Sequence, residues 1–100
     1  MNLKLGGKEP AVRPGRIVCF GEVLLRLSAT PGEMLLQTPT LRVAVGGAEA
    51  NVAVGLARAG TPAAMISILP DSALGAAARD ELRRHGVETS GIRFQPGRMG

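Results

Sequence analysis

Apolar and polar positions along the chain change their rhythm at separated points, and each rhythm predicts an element. Ile17-Val18-Cys19-Phe20 is a continuous apolar run of β-favouring residues, the pattern of a strand buried on both faces in a parallel sheet. Gly21-Glu22 interrupts it, and Val23 to Leu27 resumes less regularly around Arg26. Pro31-Gly32 marks a turn. Leu41, Val43 and Val45 then alternate with Arg42 and Ala44, the period of a half-exposed strand.

After Gly46-Gly47 the period becomes helical. Ala48 to Ala59 (AEANVAVGLARA) is rich in helix-favouring alanine, Gly60 suits the C-terminal cap and Pro62 lies just beyond. Its few polar residues predict a helix buried over most of its circumference, with Asn51 as a buried amide in need of partners. Ala63 to Leu69 (AAMISIL) reads as a second buried strand. Pro70-Asp71-Ser72 turns the chain and offers Asp71 or Ser72 as an N-cap. A second helix follows over about Ala73 to His85, with Leu74, Ala78 and Leu82 as its apolar stripe and Gly86 closing it. Gly91 to Phe94 begins a further strand. Strand–helix–strand–helix–strand in this span predicts βα units, a parallel sheet and an α/β fold.

Composition narrows the function. The formal charge is +4 over 100 residues, but residues 1–16 hold Lys4, Lys8, Arg13 and Arg16 against Glu9 alone. Beyond them, eight arginines face seven acidic side chains, so the basic excess belongs to a flexible tail over residues 1–15, not to a nucleic-acid surface. With only Phe20 and Phe94 aromatic, base stacking has no platform. No apolar run approaches the roughly 18 residues of a membrane span, and the tail lacks the apolar core of a secretory signal. One cysteine makes no internal disulfide and fits a reducing, cytoplasmic setting; Cys19 reads as a small buried hydrophobe. Walker A, GxGxxG, CxxC, HExxH and GxSxG patterns are absent from the sequence.

One constellation remains: Gly46, Gly47, Ala48, Glu49, Ala50 and Asn51. Two glycines let backbone approach a ligand, and the first helical N–H groups lack intrahelical acceptors. Glu49 adds an acceptor, and Asn51 both a donor and an acceptor, a mixture that suits sugar hydroxyls. The same residues also satisfy a plainer reading: a tight turn, a first-turn carboxylate favoured by the helix dipole, and a packing amide. Arg26 could meet a carboxylate or point to solvent; His85, at a helix end without clustered ligands, reads as structural.

The run GGAEANVAVGLARAG, followed by LPDSALG and ELRRHGV and preceded by VCFGEVLLRLS, resembles the N-terminal part of a ribokinase-like (PfkB-type) carbohydrate kinase. The resemblance covers about Arg16 to Phe94. The GAEAN and LPD forms are most similar to the 2-keto-3-deoxygluconate kinase branch, with fructokinase and ribokinase as alternatives. It implies a mostly parallel sheet flanked by helices with a small β lid, lid strands near residues 23–28 and 41–45, and substrate contact at Gly46 to Asn51. It also implies ATP and Mg2+ as cofactors, a sugar or sugar acid as the small-molecule partner, and subunit contacts through lid strands. The nucleotide site, the glycine-rich anion hole and the aspartate base lie near the family's C-terminus. The chain is therefore expected to be the N-terminal portion of such an enzyme and inactive alone, or else a non-catalytic association module. Neither nucleic acid nor membrane is expected as a partner.

Overall fold

The computed structural model describes residues 15–100; the tail assigned to residues 1–15 therefore lies, apart from Gly15, outside the described residues. The elements run β1 (Ile17–Phe20), β2 (Leu24–Ser28), β3 (Arg42–Gly46), α1 (Ala48–Arg58), β4 (Ala63–Pro70), α2 (Ala73–Arg84) and β5 (Ile92–Gln95). Strands β1, β4 and β5 form a three-stranded sheet in that order, both pairs parallel. Strands β2 and β3 pair antiparallel as a separate sheet, from Leu24 opposite Gly46 to Ser28 opposite Arg42.

Helix ends follow local chemistry. Ser72 rather than Asp71 caps α2, its hydroxyl oxygen accepting from the Gly75 N–H at 3.4 Å. The last turn of α2 carries Arg83 and Arg84 at the negative end of the helix dipole. His85 is the C-cap, its ring Nε2 3.1 Å from Glu81 Oε2. Gly86 follows at φ 92° and turns the chain toward Val87.

The core lies between one sheet face and the two helices. Cys19, Met65, Leu69 and Ile92 from the sheet meet Ala50 and Ala53 of α1 and Ala78 and Leu82 of α2. Arg79 of α2 lies over the Phe94 ring on β5, 5.3 Å from its centroid, a cation–π contact at the rim of this core.

The expectation of strands buried on both faces is corrected. Phe20 is 76% and Ile68 58% exposed, and Val18 and Ile66 are exposed beside them. Topology explains this. The crossovers β1→α1→β4 and β4→α2→β5 step the same way across the sheet, so two right-handed connections place both helices on one face. Alternate residues of β4 then separate, with Met65, Ser67 and Leu69 inward and Ile66 and Ile68 outward.

Helix α1 is likewise less enclosed than its composition suggests. Its buried residues are Ala50 and Ala53, a narrow strip that lets the helix sit close on β1 and β4, while Val52 is exposed. Asn51 is exposed too, so it is not a buried amide. In α2 the stripe shortens to Gly75, Ala78 and Leu82, with Leu74 exposed.

Candidate functional site

The polar cradle forms where β1 ends and α1 begins, at the carboxyl edge of the parallel strands, where open α/β sheets bind ligands. Gly46 is buried as the last residue of β3, fixed opposite Leu24. That register returns the chain to the end of β1, and Gly47 must turn it into the helix. It does so at φ 110° and ψ 145°, a region closed to residues with a side chain. A Cβ on Gly47 would also strike the Glu22 carbonyl oxygen. Glycine is therefore required here twice over.

The first intrahelical bond of α1 is Asn51 N–H to the Gly47 carbonyl, at 2.9 Å. The N–H groups of Ala48, Glu49 and Ala50 precede it and have no acceptor within the helix, and Gly47 brings no capping side chain. Among the described residues the helix start is thus a set of unclaimed donors with partial positive charge.

The predicted residues divide between cradle and core. Ala48 and Asn51 are exposed; Asn51 Oδ1 lies 3.8 Å from where a Gly46 Cβ would stand. Glu49 is exposed and folds its carboxylate over Gly21, at the end of β1. Ala50 turns its side chain into the core, which leaves its N–H as the part that can meet a ligand. Arg26 is exposed on β2 opposite Ala44, and Cys19 is buried in the core.

Gly21 and Glu22 were not among the residues singled out from the sequence. They adjoin the cradle because β1 ends there. The available signal was position: a Gly-Glu pair directly after a strand of a parallel sheet stands at its carboxyl edge. The same two residues join Phe20, Ile66, Ile68 and Arg93 along an open groove of about 420 Å³ on the uncovered face of the sheet.

Fold and site together define an α/β protein with a polar cradle at the carboxyl edge of its parallel strands. The sequence pattern of the pfkB family carbohydrate kinases matches residues 15–99, and the chain belongs to that family. It is 49% identical over 72 residues to the 2-dehydro-3-deoxygalactonokinase of Haloferax volcanii, covering 72% of this chain and 23% of that protein. To the probable fructokinase-7 of Arabidopsis thaliana it is 43% identical over 79 residues, covering 78% of this chain and 23% of the plant protein. The crystal structure of 2-dehydro-3-deoxygluconokinase from Thermotoga maritima superposes with a TM-score of 0.82 at 44% identity, over 85% of this chain and 26% of that one. The chain thus spans about a quarter of the length of the relatives it matches.

Proposed function

We propose that the protein is an ATP-dependent carbohydrate kinase acting on a sugar acid, 2-keto-3-deoxygluconate, and that this segment binds the acceptor. The observation that carries the reading is the cradle itself: Glu49 laid over Gly21, Asn51 beside Gly46, and the free N–H groups that follow Gly47. An ionised carboxylate accepts two or more hydroxyl protons, the amide does both, and the helix N–H groups donate. That combination holds a polyol in one orientation, and phosphoryl transfer depends chiefly on positioning and charge stabilisation.

Charge sets the direction of an acidic substrate. The Glu49 carboxylate lies at the cradle, so a sugar acid presents hydroxyls to it and keeps its own carboxylate away. The same carboxylate opposes a nucleotide triphosphate. Among the described residues, no group of three or more His, Cys, Asp or Glu side chains is placed to hold a metal ion. These residues therefore fit the acceptor and not the Mg2+-nucleotide, and none of them is assigned a part in phosphate chemistry.

Likeness to the plant fructokinase supports fructose as a second acceptor. The test is a coupled nucleotide-consumption assay of the full-length protein with 2-keto-3-deoxygluconate, 2-keto-3-deoxygalactonate, fructose and ribose. The reading expects the highest kcat/KM with a ketodeoxy sugar acid, and Glu49→Ala or Asn51→Ala to raise its KM. A preference for fructose moves the protein to the second reading. Unchanged kinetics in both variants would remove the cradle from the acceptor site.

A further inference from the structure

The third glycine at the cradle, Gly21, is not explained by its backbone. Among the described residues Gly32, Gly47, Gly60, Gly86 and Gly97 adopt positive φ, and Gly21 does not. An alanine could take its conformation without strain. What excludes a side chain is Glu49: a Cβ built on Gly21 meets Glu49 Oε1, with Cδ at 2.6 Å and Cγ at 2.9 Å, all inside van der Waals contact.

Nor can the Gly21 backbone retreat easily. Its N–H donates to the Ile66 carbonyl at 3.3 Å, which extends the β1–β4 ladder by one residue. The next carbonyl, that of Glu22, is pressed against Gly47 on the other side. Backbone is therefore held from both directions, and the flexible end of Glu49 is the partner that yields.

We infer that Gly21 is a positioning residue whose missing side chain seats the Glu49 carboxylate at the end of β1, where it accepts from the sugar. This rests on the acceptor-site reading above. It specifies how a freely rotating exposed glutamate becomes a directional acceptor: one rotamer family lies over a glycine, and any Cβ at that place removes it. Gly21 itself touches no reacting atom.

A double-mutant cycle on the full-length protein tests it, with Gly21→Ala, Glu49→Ala and both together, assayed with 2-keto-3-deoxygluconate and with fructose. Glu49→Ala deletes the three atoms that crowd a Cβ, so it also makes room for one. Each single variant is expected to raise the acceptor KM about tenfold, the loss of one charge-assisted hydrogen bond, with a smaller change in kcat. The double variant is expected to be no worse than the worse single one. Multiplying effects would overturn the inference, because Gly21 would then act through something other than Glu49.

A crystal structure of Gly21→Ala gives a second readout that needs no substrate. Glu49 swung away from β1 over an unmoved backbone supports the seat; Glu49 in place over a shifted strand overturns it. An unchanged acceptor KM in Glu49→Ala, with Glu49 displaced in the Gly21→Ala crystal, counts against the acceptor-site reading and leaves the steric seat standing.

Discussion

Gly47→Ala is the substitution on which the geometry of the cradle can be judged most directly. Two costs arise, and they are separable in kind. The first is conformational: φ 110° with ψ 145° is a glycine region, and holding another residue there costs about 1–3 kcal/mol. The second is steric, since the added Cβ strikes the Glu22 carbonyl oxygen and lies 3.6 Å from the Leu24 nitrogen. A backbone carbonyl cannot rotate away as a side chain can. Relief requires shifting either the start of α1 or the strand that leads into β2, and overpacking of this kind costs about 1–3 kcal/mol. The two overlap, because one backbone shift relieves both, so about 3 kcal/mol is the expected total. Urea unfolding of the full-length protein, followed by far-UV circular dichroism, should show the midpoint falling by that free energy at unchanged slope. The same shift displaces the free N–H groups, so the acceptor KM should rise with it. Stability within about 0.5 kcal/mol of the parent, the range of an innocuous surface change, would refute the reasoning.

Two helical glycines should respond to alanine with opposite sign. Gly55 on α1 has open space where a Cβ would go, so Gly55→Ala should stabilise by about 0.5–1 kcal/mol through helix propensity. On α2 a Cβ at Gly75 would run into the Pro70 carbonyl oxygen, with Pro70 Cγ at 3.3 Å, so Gly75→Ala should lower the melting temperature despite the same propensity gain. Leu82, 1% exposed in the core, should cost about 2–5 kcal/mol when cut to alanine, measured by denaturant unfolding. Arg84, followed by His85, holds the Glu81 carboxyl below its ordinary range, its guanidinium donating to Oε2 at 2.6 Å. A lowered folded value means that this support is complete above the unfolded carboxylate range and lost as pH falls through the folded one. Glu81→Gln should therefore flatten the acid limb of a stability–pH curve, and added salt should shrink the difference.

How far the sequence reveals this molecule depends on whether the information is local. The AAMISIL run, bounded by Pro62 and Pro70, announces β4, observed as Ala63–Pro70. The alanine-rich stretch after Gly46-Gly47 announces α1, whose last helical residue, Arg58, falls one short of the expected end. Burial was less legible. Continuous apolarity states which residues could be covered, but coverage is settled by the side to which the crossovers swing. Phe20, Ile66 and Ile68 look like core and lie open for that reason. The flanks of α1 show the same limit, because a helix resting on two small alanines exposes Asn51 and Val52. At the site, Gly46 and Gly47 were visible through local rules for a helix start. Gly21 was not, since its partner Glu49 lies 28 positions along the chain and only the fold joins them.

That separation also bears on the kind of ligand proposed for the site. In a dinucleotide-binding βαβ unit the first strand passes to its helix through a short glycine-rich turn, and the helix N–H groups are left to a phosphate. Here a hairpin is inserted between β1 and α1, and its closing pair, Leu24 opposite Gly46, brings the chain back to the end of β1. The helix therefore starts where the short turn would have started it. The insertion changes its surroundings: Glu22 leads out of β1 on one side, and Glu49 lies over Gly21 on the other. A carboxylate beside a helix start opposes the phosphate that the bare N–H groups would attract, yet it accepts readily from hydroxyls. On the proposed reading, a helix terminus that favours anions in one setting becomes, by the company the hairpin imposes, a place for a neutral polyol face.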